Sequence, residues 1–282
     1  MNLEAAHNVA PRNPITANRV WFGLLVAVIG IAATLTPYSF YLLILLIGLG
    51  CLYELASLCE KKGQPLEYPV AMLGVVAFIV LAVFNLLHRW EGVLLAAIVL
   101  VTFWIGMYGE QHGYFARTAY TLLSVLYIGK LLTYFVFIRQ IPHSGLYYTL
   151  YVVILIALTD TLAMFIGVLI GRHPLTKVSP KKTVEGSLGA LLAVSLIGAL
   201  LAPSMFLHLQ WWQGAVIGAM TSIAAQAGDL VESSLKRDAG VKDAGSAIAG
   251  HGGLLDRFDS YLFGGMAFFA ALHLLGILSV NQ

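Results

Sequence analysis

Two pairs of carboxylates with helical spacing mark the second half of the chain. Asp229 and Glu232 are three residues apart, and Asp256 and Asp259 repeat that spacing. Residues at this spacing share one face of a helix, and the short segment between the pairs allows Asp229 and Asp256 to meet when it folds back. Two neighbouring carboxylates repel each other unless a cation lies between them. A few oxygen ligands suit Mg²⁺, which also bridges to substrate phosphates, so the pattern predicts metal-assisted phosphoryl or nucleotidyl transfer.

Three of these four carboxylates also have a purely structural interpretation. Asp229 and Glu232 could lie on a solvated helix end, and Asp259 with Ser260 could cap the following helix. Asp229 follows an apolar run near a predicted membrane boundary. An ionisable group at membrane depth is costly, which favours a functional role for Asp229.

Basic residues and glycines alternate between the two carboxylate pairs. Lys236, Arg237 and Lys242 are interleaved with glycines, which let backbone N–H groups approach phosphate oxygens while the cations offset their charge. The same cations would suit contact with anionic lipid headgroups. His251, which lies between glycines, could act as a general acid, contact a phosphate or simply belong to a turn.

A second polar loop and an isolated carboxylate complete the candidate set. Lys181 and Lys182 follow a Ser-Pro pair that favours a turn, although two lysines alone are a weak signal. Asp160 lies in the apolar run LIALTDTLAMFIG, where a carboxylate needs a partner. Lys130, in the preceding apolar segment, is one candidate partner, and a metal or substrate cluster is the other.

The elements that must position these residues are membrane helices. Of the 282 residues, 59% are apolar and 11% are charged, whereas soluble domains carry about 25% charged residues. Because backbone amides in lipid must be paired internally, apolar stretches of this length predict an all-α polytopic membrane protein. The nine predicted spans cover residues 20–36, 38–59, 69–88, 92–108, 117–139, 146–170, 187–207, 211–231 and 260–280.

The distribution of lysine and arginine predicts the orientation. With the N-terminus inside, 13 cations lie in cytoplasmic segments, Arg89 and Arg139 lie outside, and Lys130 lies within a span. We therefore expect a cytoplasmic N-terminus, a C-terminus on the opposite side, and cytoplasmic loops at 171–186 and 232–259.

The chain is predicted to form one domain. Residues 1–19 are expected to be a cytoplasmic tail, and residues 20–282 a single transmembrane catalytic domain. The first apolar segment lacks a small-residue cleavage pattern, so we expect a retained helix rather than a signal peptide. The first four spans contain few ionisable groups beyond Glu54, and their role is left open between a dimer contact and a lipid cleft.

The motifs of the second half resemble those of the CDP-diacylglycerol synthases, also called phosphatidate cytidylyltransferases. The family pattern S-L-K-R-x₄-K-D-x-G…G-H-G-G-L-x-D-R-x-D is matched by Ser234, Leu235, Lys236, Arg237, Lys242, Asp243, Gly245, His251, Gly252, Gly253, Leu254, Asp256, Arg257 and Asp259. Upstream, the resemblance includes Asp160-Thr161, Ser179-Pro180-Lys181-Lys182-Thr183, Glu185-Gly186, Gly228-Asp229-Leu230 and Glu232-Ser233.

The resemblance implies a reaction of CTP with phosphatidic acid that gives CDP-diacylglycerol and pyrophosphate. It further implies Mg²⁺ as cofactor, a monovalent cation such as K⁺ as an optional second ion, a homodimer, and a bacterial inner membrane with the active site facing the cytoplasm; no nucleic-acid partner is expected. Implied catalytic residues are Asp229, Asp256, Lys236 and Arg237. Implied substrate contacts are Asp160, Ser179, Lys181, Lys182, Thr183, Lys242, Asp243, His251 and Arg257. Asp229 and Asp256 would hold the metal, with Asp259 and Glu232 as further candidate ligands.

The chain departs from the family pattern in two places. Ala249 stands in the segment where the family usually has a proline before Gly-His-Gly-Gly, which would loosen one turn. After the carboxylate of the sixth predicted span, the family tends to have a glycine, an aromatic and a basic residue, whereas this chain has Leu162, Met164 and Val168. The second departure leaves the substrate preference open.

Two other functions are compatible with these motifs. A CTP-dependent lipid kinase acting on a polyprenol-type alcohol would need the same cation, nucleotide and lipid. An ion-coupled transporter could use Asp160, Asp229 and Lys130 as relays, but the broken helices and paired repeats of many transporters are not evident. The charged, glycine-rich loop favours an enzyme.

Overall fold

A computed structural model describes residues 30, 32–108, 113–205, 207, 209–241, 245 and 253–278. Within these ranges the regular structure is helical, apart from one isolated bridge between Pro174 and Thr183. From residue 37 onward the helices are α1 Pro37–Lys61, α2 Tyr68–Val83, α3 Leu87–Tyr108, α4 Tyr114–Gln140, α5 Gly145–Ile170, α6 Val184–Leu201, α7 Trp211–Asp238 and α8 Leu255–Leu274. The predicted all-α fold is confirmed.

Six helices of the described chain are long and apolar enough to cross a membrane, namely α1, α3, α4, α5, α6 and α7. Helix α2 is apolar but has only 16 residues, and α8 carries three charged residues in its first two turns. The predicted total of nine spans and the orientation of the termini remain predictions. The predicted tail 1–19 lies outside the described residues, as does most of the predicted span 20–36.

Helix α7 organises the second half of the molecule, because it packs against α5, α6 and α8. Glycines set the distances between these helices. A Cβ atom on Gly228 of α7 would lie 2.5 Å from the carbonyl oxygen of Asp259 in α8, and one on Gly214 of α7 would lie 2.4 Å from the carbonyl oxygen of Gly198 in α6. Small residues at such contacts are typical of membrane helices. The close approach places the charged faces of α7 and α8 against each other.

The hydrophobic core extends from this group into the first half. Leu52 of α1, Phe78 of α2 and Ile128 of α4 are fully buried, and Tyr151 of α5 packs its ring edge against Phe268 of α8. Helix α1 also contacts α8 directly. The first-half helices therefore support the helix that carries the second carboxylate pair.

Candidate active site

A cleft of about 410 Å³ lies between α5, the loop before α6, α6 and α7. Six of the predicted site residues line it, namely Asp160, Ser179, Lys181, Lys182, Thr183 and Asp229. Met164 and Val168, where the chain departs from the family pattern, line the same cleft. The structure thus brings together the two loop lysines and two of the carboxylates, which are far apart in the sequence.

The loop before α6 is held in place by one carboxylate. Glu185, in the first turn of α6, accepts hydrogen bonds from the backbone N–H groups of Arg172 at 3.0 Å and His173 at 3.2 Å. The backbone N–H of Leu175 donates to the carbonyl of Lys182 at 2.7 Å. These contacts close the loop into a compact turn, which fixes the backbone that carries Lys182.

The end of this loop links α6 to α7. Thr183 is the N-cap of α6, and its hydroxyl accepts from the N–H of Gly186 at 3.1 Å. The adjacent Lys182 forms an ion pair with Asp229 of α7. Asp229 is also within 3.4 Å of the hydroxyl of Ser233, one turn further along α7. A cation and an anion of the predicted site are therefore already paired across the cleft.

Asp160 meets a hydroxyl rather than a lysine. The side chain of Ser260 in α8 donates a hydrogen bond to Asp160 Oδ1 at 3.1 Å. Lys130, the partner considered from the sequence, instead lies 2.5 Å from Glu91 of α3. The suggested pairing of Asp160 with Lys130 is therefore wrong, because Lys130 has a carboxylate partner on a different helix.

Asp259 does not cap α8. The helix begins at Leu255, so Asp259 and Ser260 lie inside it, and Asp259 is buried, with 6% of its surface exposed. The capping interpretation is thus wrong, since both residues lie one turn inside the helix and Ser260 contacts Asp160 of α5. Asp259 lies within electrostatic range of Asp229 and Asp160. We refer to Lys182, Asp160, Asp229 and Asp259 as the Lys182 cluster.

A second group of charges lies beside it, nearer the end of α7. Lys236 Nζ lies 2.6 Å from a carboxylate oxygen of Glu232 and 2.5 Å from Asp256 Oδ1. The second oxygen of Asp256 accepts from the N–H of Gly253 at 2.9 Å. Glu232 is fully buried, and its Oε1 meets no hydrogen-bond donor within the described part of the chain. We refer to Lys236, Glu232 and Asp256 as the Lys236 cluster.

The two clusters adjoin, because Asp229 and Glu232 are one turn apart on α7. As predicted, the chain folds back so that α8 packs against α7. Each of the two aspartates, Asp229 and Asp256, contacts a lysine of its own cluster. That they share one ion stays a prediction.

The remaining predicted residues extend the basic edge of the site. Arg237 Nε donates to the carbonyl of Val178 at 3.5 Å, which joins the end of α7 to the loop before α6. Arg257 lies in the first turn of α8. Three predicted substrate contacts lie outside the described residues, namely Lys242, Asp243 and His251.

Two features of the site were not predicted from the sequence. Gln226, one turn before Asp229, contacts Ser187 of α6 and lines the cleft. Its spacing of three residues from Asp229 could have indicated a shared face. Glu54 of α1, noted in the sequence only as an isolated charge, accepts two hydrogen bonds from the start of α8. Its partners are about 200 residues away in the chain, so spacing gave no signal.

Comparison with known proteins identifies the family to which the chain is similar. The model of the cytidylyltransferase family matches residues 16–275. A phosphatidate cytidylyltransferase of Bacillus subtilis (strain 168) is 31% identical over 252 residues, which cover 87% of this chain and 93% of the relative. Two proteins of that name from Staphylococcus haemolyticus and Staphylococcus epidermidis are 40% and 42% identical over 60% and 53% of this chain. In those two matches the chain spans only 61% and 56% of the relative's length. From the extent of the family match and the near-complete coverage of the Bacillus protein, the chain belongs to the cytidylyltransferase family.

Proposed function

We propose that this protein transfers the cytidylyl group of CTP to phosphatidic acid, giving CDP-diacylglycerol and pyrophosphate. The observation that carries the proposal is the cleft lined by Lys181, Lys182, Asp160 and Asp229, formed where apolar helices end. A site of this kind offers charged contacts to a polar nucleotide and an apolar flank to a lipid. The similarity to proteins named phosphatidate cytidylyltransferase supports the same reaction.

The reaction needs charge stabilisation more than it needs a strong base. A phosphate oxygen of phosphatidic acid, anionic near neutral pH, attacks the α-phosphorus of CTP. A new P–O bond forms, the bond from the α-phosphorus to the bridging oxygen of the β-phosphate breaks, and pyrophosphate leaves with the electron pair. Lys181, Lys182, Lys236 and Arg237 are the cations that would stabilise the leaving group, because fixed charges near the developing negative charge lower the barrier.

The donor chemistry of both clusters fits the proposed Mg²⁺. Carboxylates outnumber the lysines in each cluster, and one oxygen of the buried Glu232 meets no donor within the described ranges. In those ranges no three His, Cys, Asp or Glu side chains converge into a complete metal cage, but Mg²⁺ needs only one or two carboxylates together with water and substrate phosphates. Asp229 and Asp256 would hold it, Asp259 and Glu232 are alternative ligands in the same two clusters, and K⁺ is an optional second ion. Bound there, the metal would neutralise charge on the triphosphate.

The setting we propose is a bacterial inner membrane with the site facing the cytoplasm. Lys62, just after α1, forms an ion pair with Asp238 at the end of α7 and donates to the hydroxyl of Tyr120 at 2.9 Å. Predicted cytoplasmic residues of both halves thus meet near the end of α7 that carries the Lys236 cluster. This supports entry of CTP from the cytosol and of phosphatidic acid from the inner leaflet. We further propose that the protein works as a homodimer.

The purified protein tests this proposal when it is given phosphatidic acid, Mg²⁺ and CTP labelled at either the α- or the γ-phosphate. We expect the α-label, and not the γ-label, to enter the lipid fraction. A γ-label in the lipid would contradict the proposal and support a CTP-dependent kinase. Reactions without phosphatidic acid, and with a polyprenol in its place, serve as controls.

A further inference from the structure

Glu54 lies two turns before the end of α1, in the half of the chain where no site residue was predicted. Only 2% of its surface is exposed. One carboxylate oxygen accepts from the backbone N–H of Leu254 at 2.8 Å, and the other accepts from the N–H of Leu255 at 2.7 Å. The first N–H groups of a helix lack partners within the helix, and a negative charge at that end is favourable. Glu54 thus stabilises the start of α8 from a distant helix.

The space around this carboxylate is closed by glycines. A Cβ atom on Gly253 would lie 2.5 Å from Glu54 Oε2, and one on Gly245 would lie 2.7 Å from Oε1. A Cβ atom on Gly50, one turn earlier on α1, would lie 2.4 Å from the side chain of Leu254. A side chain at any of these three positions would force the neighbouring group to shift. The glycine-rich segment before α8 is therefore fitted to Glu54 at two points.

This contact bears directly on the Lys236 cluster. The N–H of Gly253 donates to Asp256, while the next two N–H groups, of Leu254 and Leu255, donate to Glu54. Three consecutive amides thus donate hydrogen bonds to two carboxylates, Asp256 of α8 itself and Glu54 of α1. Because Asp256 also contacts Lys236, displacement of this turn would change the distance between the two.

A local helix cap would not have the same effect. The N-cap residue of α8, Leu254, has no side chain that could cap the helix, although a Ser, Thr, Asp or Asn there would do so locally. A cap supplied from α1 stabilises the helix end and also ties its position to the first-half helices. A residue that only stabilised the fold would need to stabilise the helix end, but it would not need to fix the position of that end relative to α1.

We propose that Glu54 is a positioning residue of the active site, which holds the start of α8, and hence Asp256, in register with Lys236. The proposal rests on the proposed function for its kinetic readout but not for its structural one. It assigns the first-half helices a part in the reaction.

The kinetic test uses Glu54→Gln, which keeps the size of the side chain but replaces one acceptor oxygen with a donor. We expect kcat to fall by about 10- to 100-fold, because small displacements of catalytic groups are costly, while the KM for phosphatidic acid stays unchanged. Glu60→Gln, an exposed position on the same helix, is the matched control and should behave like the wild type. A merely structural role would lower the yield of folded protein but leave the kcat of the folded fraction intact. A kcat of Glu54→Gln within twofold of the wild type would overturn the proposal.

Amide hydrogen exchange provides a test that does not depend on activity. In Glu54→Gln, the amides of residues 253–258 should exchange faster, while those of α5 and α6 keep their wild-type protection. Unchanged exchange at the start of α8 would overturn the anchoring role whatever the activity. If exchange responds but the wild type does not transfer the α-label from CTP to phosphatidic acid, the proposed function fails and the anchoring role stands.

A second variant covers the case in which Glu54→Gln does not fold. Gly245→Ala leaves the carboxylate in place but puts a methyl group 2.7 Å from its oxygen. We expect the same acceleration of exchange at residues 253–258 and a fall in kcat in the same direction. Wild-type exchange and kcat in this variant would contradict the proposed fit between the segment and Glu54.

Discussion

Lys182, in the loop before α6, forms an ion pair with Asp229 of α7 across the mouth of the cleft. The two residues are 47 positions apart in the sequence, and one is a proposed phosphate contact while the other is a proposed metal ligand. Each thus neutralises the other while substrate is absent. We expect the pair to separate when CTP and Mg²⁺ bind, since the lysine and the carboxylate then have partners of higher charge.

Replacement of Lys182 with Met tests this exchange of partners. The variant lacks one cation that would contact the triphosphate. We therefore expect kcat/KM for CTP to fall by about 100-fold, which is the loss typical when one group that stabilises the transition state is removed. Asp229 loses its competing lysine, so the Mg²⁺ concentration for half-maximal activity should fall as well. Lys177→Met, at an exposed position of the same loop, is the control. An unchanged Mg²⁺ requirement would argue against Lys182 and the metal competing for Asp229.

Asp256→Asn tests the role of the second cluster. The amide keeps an acceptor for the N–H of Gly253 but loses the negative charge, so Lys236 keeps only Glu232 as a charged partner. We expect cytidylyl transfer to fall by on the order of 100-fold or more, while the protein still inserts and purifies normally.

The control for that variant is Asp238→Asn, because the ion pair of Asp238 with Lys62 is solvent-exposed and such pairs contribute about 0–1 kcal/mol. Near wild-type turnover of Asp256→Asn, in the assay that shows Asp238→Asn to be fully active, would remove Asp256 from the proposed metal site.

Val168 offers a test of substrate preference. It lines the cleft at a position where the sequence pattern of the CDP-diacylglycerol synthases tends to have a basic residue. A cation there would face the nucleotide or lipid phosphate, so Val168→Arg should lower the KM for one of the two substrates by about two- to fivefold, the range of an exposed ion pair. This decrease in KM should become smaller at high salt, because salt screens the added charge.

Leu169→Arg places the same charge on a residue that does not line the cleft, and it should leave both KM values unchanged. Equal KM values for the wild type, Val168→Arg and Leu169→Arg at low salt would show that this position does not contact either substrate.

The all-α class could be predicted from hydrophobic length, but the helix ends could not. The predicted span 69–88 is Tyr68–Val83 in the structure, because the chain turns at Asn85, which has a positive φ of 57°. The predicted span 260–280 begins at Leu255 instead. The first turns of α8 are charged. They are helical because α7 supplies Lys236 as a partner for Asp256 and α1 supplies Glu54 as an acceptor for the first N–H groups. A hydropathy pattern cannot show such contacts.

The site was predictable only where local spacing reveals it. Asp229 and Asp256 are marked by helical spacing and by the motif that surrounds them. Glu54 is not marked, since its partners belong to another part of the chain. Lys130 was one candidate partner for Asp160, but its actual partner, Glu91, lies on another helix and carries no mark in the local sequence. Long-range pairing of charges is a property of the packed helices rather than of any one segment.

Gly228 links helix packing to the site, and Gly228→Ala tests that link. Its added Cβ would lie 2.5 Å from the carbonyl oxygen of Asp259, so α7 and α8 must move apart or the backbone must strain. Such overpacking costs about 1–3 kcal/mol, which should lower the midpoint of thermal unfolding by several degrees. Because the next residue is Asp229, kcat should fall as well. Gly92→Ala in α3 is the matched control, as its Cβ would meet no atom within 4 Å and alanine favours the helix. If both variants unfold and turn over like the wild type, the close contact of α7 with α8 does not set the geometry of the carboxylates.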